Sequence, residues 1–399
     1  MKNKELFQRD PSVAKLLNDG VAAVREAASA KEIETLRYEL EHFVCEGQYE
    51  DGLIRILESY LDNVSSTTQP AAWVSGFYGS GKSHLLKMFR HLWVDTRFED
   101  GATARGLARL PQEVQDLLRE LDTLGKRSGG LHAASGTLPS GGGESVRLAV
   151  LSIVLASKGL PEALPQARFC MWLQKNGFLD GVKAAVKAAG KEFYSELHDL
   201  YVSPILARAV LDADPSFASD LKAARAALRA QFPVVEDVST NEFIRLVREV
   251  LSVDGQIPCT VIVLDEFHYI LKSSPDFADA FQLLHNPNRP VMFVLCSSSI
   301  RWVENEMVQD LGGYASYITA FIKLKEFSFV DFVNRFPDSS VETCIHINAI
   351  LGGIPEYLNE WQETKSLREN ITDILLDKDG RLIMASQQFL KLELREPAV

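Results

Sequence analysis

Residues 71 to 93 run Ala71-Ala72-Trp73-Val74-Ser75, then Gly76-Phe77-Tyr78-Gly79-Ser80-Gly81-Lys82-Ser83, then His84-Leu85-Leu86-Lys87-Met88-Phe89-Arg90-His91-Leu92-Trp93. The first run is short and apolar, suited to a buried strand, and the last carries apolar residues at helical spacing. Between them lies G-x-x-x-x-G-K-[ST]. Its glycines let backbone N–H groups close around phosphates, and a helix starting beside them offers unpaired N–H groups and the positive end of its dipole. Strand, glycine loop and helix therefore predict an α/β chain that binds a nucleotide. Lys82 is expected at the β/γ-phosphates and Ser83 on Mg²⁺, with Gly76, Phe77, Tyr78, Gly79, Ser80, Gly81 and His84 lining the nucleotide. A glycine-rich turn that binds nothing is the competing reading.

A second signal is Cys259-Thr260-Val261-Ile262-Val263-Leu264-Asp265-Glu266. An almost unbroken apolar and β-branched run suits a central parallel strand buried on both faces. Open α/β sheets bind ligands at the carboxyl ends of their strands, where these two acids fall. Buried side by side they need a cation or hydrogen-bond donors. Asp265 is read as the metal-side carboxylate and Glu266 as the residue that orients or deprotonates water. A strand running into a solvated turn is the alternative. Pro290-Val291-Met292-Phe293-Val294-Leu295-Cys296-Ser297-Ser298-Ser299 is a third buried-strand pattern. It is expected between the first two, with Ser297 or Ser298 facing the γ-phosphate or the water. A plain strand-to-helix cap would use the same serines.

The rest of the chain is read more coarsely. Residues 1–68 look helical, with Ile33, Leu36 and Leu40 on one face and Leu53, Ile56, Leu57, Tyr60 and Leu61 on another, and nothing in them suggests chemistry. Residues 125–143 mix glycine, serine and proline and read as a surface loop, or as a lid or partner-binding loop, with a short strand possible over 131–138. Roughly 180 residues separate the glycine loop from the Asp265 strand, far more than one βαβ crossover needs. The excess, about 144–250, is alanine-rich and helical and is read as an insertion. His198 within it reads as a surface or satisfied core histidine.

The net charge of −12 argues against autonomous nucleic-acid binding, although Lys323 and Lys325 are a small basic pair. Five scattered cysteines without C-x-x-C spacing suggest neither zinc nor a disulfide framework, and no signal peptide or membrane span is visible, so a cytoplasmic chain is expected.

Two resemblances extend this reading. Residues 1 to about 266 resemble the P-loop ATPases of BREX phage-defence systems (BrxC/PglY type). The residues that carry it are Glu5-Leu6-Phe7-Gln8-Arg9-Asp10-Pro11, the loop from Ser75 to Lys87, Gly159-Leu160-Pro161, Ala167-Arg168-Phe169 with Met171-Trp172-Leu173, and Leu200-Tyr201-Val202-Ser203. From Leu264 the chain is similar to archaeal-type AAA/STAND ATPases. There the carriers are Leu264 to Leu271, Ser298 to Glu306, Leu351-Gly352-Gly353-Ile354-Pro355-Glu356-Tyr357-Leu358, and Glu393 to Pro397. In that second family the segment matching Gly312 to Thr319 usually carries an arginine; here Tyr317 and Ile318 stand in its place, which implies slow turnover unless Arg301 or Arg335 substitutes. Both resemblances imply further chain beyond Val399.

The sequence thus predicts a three-layer P-loop ATPase of the AAA-like, additional-strand type. Its parts are a helical N-terminal segment (1–68), a core (69–336) interrupted by the insertion, and a helical lid (337–399). ATP and Mg²⁺ are the expected ligands. The resemblance implies anti-phage defence, with defence-system proteins as partners, DNA met only indirectly or in complex, no membrane, and possible self-association. The rival is a STAND-like, nucleotide-dependent scaffold with little turnover.

Overall fold

The computed structural model describes residues 24–25, 29–64, 71–76, 79–138, 145–267, 291–298, 309, 312–377, 380 and 382–383. Five strands form one parallel sheet in the order β2-β3-β4-β1-β5. They are β1 (Ala71–Gly76), β2 (Leu131–Thr137), β3 (Cys259–Asp265), β4 (Val291–Ser297) and β5 (Ile318–Leu324). Every residue of β1, β3 and β4 is buried, as expected of parallel strands covered on both faces. β4 pairs with β1 on one side and β3 on the other. The strand predicted to lie between the two motif strands therefore does so.

Alternation sends successive side chains to opposite faces. Trp73, Ile262, Leu264, Phe293 and Leu295 face α6 (Val146–Ala156) and α12 (Thr240–Leu251). Ala72, Val74, Val261, Val263, Met292 and Val294 face α1 (Ala30–Glu41), α2 (Gln48–Asn63), α3 (Lys82–Val94) and α5 (Gln112–Arg127). The short α4 (Ala104–Leu107) carries Arg105, whose guanidinium donates to the carbonyls of Leu92 (2.6 Å) and Trp93 (2.8 Å) and so satisfies the end of α3. Trp93 Nε1 in turn donates to the Cys259 carbonyl (3.2 Å), fixing α3 against β3.

Within the glycine-rich stretch 125–143 the short strand expected over 131–138 is present as β2, paired with β3 throughout, whereas residues 125–127, expected as loop, end α5. Its small residues serve packing: a Cβ on Gly136 would fall 2.6 Å from Ile153 of α6. Only residues 139–143 of it lie outside the described part. The expected insertion is also narrower than its sequence bounds, because α6 and α12 belong to the sheet. A separate core forms around Phe169, Leu173, Val186, Val210, Leu228 and Phe232. It unites α7 (Leu164–Lys175), α8 (Leu179–Ala188), α9 (Phe193–Leu197), α10 (Pro204–Ala213) and α11 (Leu221–Gln231). His198 there is exposed.

A fourth cluster joins Phe332, Phe336, Cys344, Ile347, Leu351, Leu358 and Trp361. It places α13 (Phe329–Arg335) with α14 (Val341–Leu351) and α15 (Pro355–Asn359), so the lid begins before the boundary at 337. Gly352 (φ 65°) and Gly353 break the chain between α14 and α15. Lys323, on the edge strand, is exposed. Among the described residues no helix is long and apolar enough to cross a membrane.

Candidate nucleotide site

The two acid- and glycine-bearing segments meet at the carboxyl edge of the sheet. Ser83 Oγ donates to Asp265 Oδ2 at 2.8 Å across 182 residues of sequence. The neighbouring β4 brings its end to the same place, with Ser297 in register with Ser75 just before the loop.

The loop is shaped by its glycines. Gly79 (φ 78°) and Gly81 (φ 87°) occupy backbone conformations that L side chains rarely adopt. A Cβ on Gly76 would fall 2.7 Å from both the Leu324 carbonyl and Ser80 Oγ. α3 then starts with Gly81 as its cap, no side-chain hydrogen bond to its first amides and no acid in its first turn. Lys82 and Ser80 are buried, and Ser80 Oγ has no partner among the described residues. A buried hydroxyl without a partner costs free energy unless a ligand supplies one. Orphan hydroxyl, uncapped amides and glycine cradle together fit a phosphate chain.

His84, expected to line the nucleotide, turns its ring toward Phe43 (5.9 Å between centroids), with Glu39 and Lys87 its charged neighbours. Burial holds its pKa below the ordinary value. Only its N–H, one of the first in the helix, is left for an anion. Phe77 and Tyr78 lie outside the described residues.

The acidic end of β3 is fixed from both sides. Leu138 N donates to the Asp265 carbonyl (3.0 Å), and Phe267 N to that of Cys296 (2.7 Å). Phe267 is buried edge-on against Trp73. Between these anchors Glu266 adopts φ 57°, unusual for a non-glycine residue. Its N–H donates to Asp265 Oδ1 (3.0 Å), while its Oε2 accepts from Ser298 Oγ (2.8 Å). Burial foremost raises its pKa; Ser298 and Lys82 act the other way, and Asp265 adds to the rise. Of the two serines, Ser298 is thus the one joined to Glu266, and Ser297 is fully buried. Ser83 and Asp265 together offer hydroxyl and carboxylate oxygens, the ligand type a hard cation takes.

Two contacts here come from residues with no predicted role in the site. Tyr49, at the start of α2, donates its hydroxyl to the Gly81 carbonyl (3.2 Å), and a Cβ on Gly81 would overlap that oxygen. A lone aromatic in an amphipathic helix gives no sign of this in sequence. Glu356 of α15 lies against Gly79. Of the candidate substitutes for the missing arginine, Arg335 sits over the Phe336 ring (5.2 Å) and reaches Asn359 (3.4 Å), both in the lid. Arg301 lies outside the described residues. Ile318 begins β5 and is buried.

No protein-family model matches the chain, and no curated protein does.

Proposed function

We propose that this chain binds ATP with Mg²⁺ and hydrolyses it, as an AAA-like module of the additional-strand type. The observation that carries the reading is the hydrogen bond between Ser83 of the glycine loop and Asp265 at the tip of a strand two places away in the sheet. The β4 strand inserted between the motif strands supports the subclass. The loop amides from Gly76 to Gly81 and Lys82 would hold the phosphates, with Ser83 and Asp265 beside the metal. Magnesium, when bound there, neutralises charge on the phosphate oxygens. Glu266 holds the attacking water and accepts its proton; burial and the Ser298 hydrogen bond orient its carboxylate for that task. Ser298 then links Glu266 to the end of β4, a route by which loss of the γ-phosphate changes the sheet edge.

The resemblance to BREX-type ATPases supports a place in a multi-protein defence assembly. It rests on the short motifs quoted above, those of residues 5–11 lying outside the described part. The second reading is a nucleotide-dependent scaffold, favoured by Tyr317 and Ile318 where an arginine is usual. Steady-state phosphate release by wild type against Glu266→Gln separates them. Hydrolysis predicts a fall of about 10²–10³-fold with ATP affinity kept. Equal, background-level rates would leave the scaffold.

A further inference from the structure

Glu356 reaches the glycine loop because of the turn before it. Phe327 N donates to the Gly353 carbonyl (2.7 Å), and a Cβ on Gly353 would fall 2.5 Å from the Phe327 oxygen. The Gly352-Gly353 turn therefore lies directly on the chain leaving β5. That strand is hydrogen-bonded to β1, which runs into the loop. α15 is carried over the loop as a result. A Cβ on Gly79 would meet Glu356 Oε2 at 2.5 Å, Glu356 Cβ at 2.7 Å and Ile354 Cγ2 at 3.0 Å. Residue 79 must be glycine for its φ of 78° and again for this approach.

We infer that Glu356 is an acidic gate on the phosphate loop: with α15 seated, its carboxylate opposes the charge of an incoming polyphosphate and makes nucleotide entry and lid position interdependent. The inference rests on the nucleotide-binding reading of the loop and adds a residue that discriminates by phosphate charge. The argument is one of sign and distance. Gly79 to Ser83 supply donors and a lysine for an anion, and the lid sets an anion of the chain's own against that loop. Like charges a few ångströms apart near a protein surface repel by an amount that alters affinity severalfold or more. The repulsion grows with the charge of the ligand and shrinks with salt. A polyphosphate therefore favours the state in which α15 has moved off, and by linkage that state favours the polyphosphate.

The test is equilibrium titration of the full chain with ATP, ADP and adenosine at low and high salt, comparing wild type, Glu356→Gln and Lys82→Ala. Glu356→Gln keeps the shape of the side chain and removes its charge. It is expected to tighten ATP about tenfold at low salt, ADP less and adenosine not at all, with the gain shrinking at high salt. A gain equal for adenosine and ATP, or no gain, overturns the gate. So does weaker ATP binding, which would make Glu356 part of what holds the nucleotide. Should wild type bind no ATP, or bind it equally after Lys82→Ala, the nucleotide reading fails and the gate with it. Binding that needs Lys82 but ignores the charge at 356 removes the gate alone.

Discussion

The carboxyl edge of the sheet and the helical body of α7 to α11 are both well packed, yet they bury different things. At the edge, Ser80, Lys82, Asp265 and Ser297 are all withdrawn from water within one loop and two strand ends. In the body the core is Phe169, Leu173, Leu206, Val210, Leu228 and their neighbours. The one buried polar residue described there, Ser203, caps its own helix through Leu206 N (3.0 Å) and bonds Glu196 (2.6 Å). Burying polar groups costs stability unless each finds a partner. The body spends most of its interior on apolar contact, with Gln166 Oε1 a buried oxygen without a partner among the described residues, whereas the edge gathers such a hydroxyl, a buried lysine and aspartate and a strained glutamate in one place. That is the pattern of a site beside a support, where local stability is given up for ligand contacts.

The sharpest way to break this contrast is to damage each region and ask what fails. Lys82→Ala should weaken ATP binding by about 100-fold or more while leaving the fold intact. Phe169→Ala should do the reverse. It should cost about 3–5 kcal/mol of stability, read by denaturant unfolding, and leave the ATP affinity of the folded fraction within about twofold. If the body mutant stays stable but loses nucleotide, the body is part of the site.

Titration gives the next effect. Burial pushes the pKa of His91 and of His132 down to about 3. His91 Nε2 faces Arg90 Nη1 (3.3 Å) with Nδ1 on Thr96, and His132 Nε2 lies 2.9 Å from Ser157 Oγ. Protons are then taken up by the unfolded chain before the folded one. Stability should fall as pH drops below about 6.5, by up to about 1.4 kcal/mol per pH unit for each histidine. His132→Gln should remove about half of that slope in chemical denaturation.

Glu266 has the opposite sign. Its folded pKa is raised, so the ligand-free chain loses stability as pH climbs from the ordinary glutamate value of 4.5 through that raised pKa. Glu266→Gln should cancel this loss and raise the melting temperature by about 1–2 °C at neutral pH while lowering turnover about 10²–10³-fold. A lower melting temperature would mean that the glutamate is structural. The smallest expected change is Tyr49→Phe, which removes one hydrogen bond to the loop. ATP should bind about two- to fivefold more weakly with melting almost unchanged.

Much of the edge was legible because its chemistry is local. Gly76 to Ser83 declare themselves through glycine spacing, and Asp265-Glu266 through an apolar run that ends in acids. Ser298 could be narrowed only to a pair with Ser297, since a strand's last residues differ by which way they face. In the stretch 125–143 loop and strand readings competed because glycine marks loops and close packing alike; at Gly136, within the strand, it serves packing against Ile153. The bounds of the insertion misled for a similar reason. α6 and α12 are helical like their neighbours in the chain, and contact with the sheet sets them apart from the body.

By itself the sequence determined the strand–loop–helix unit, the buried strands and the groups able to meet phosphate and metal, because backbone freedom, side-chain alternation and charge are properties of neighbours in the chain. The tertiary structure decided the pairing of Ser83 with Asp265, the contact of Tyr49 with Gly81 and the seat of Glu356 on Gly79. Those depend on which strands lie side by side and how closely helices approach. Such distances are set by packing summed over the whole core, and no single stretch of residues encodes them.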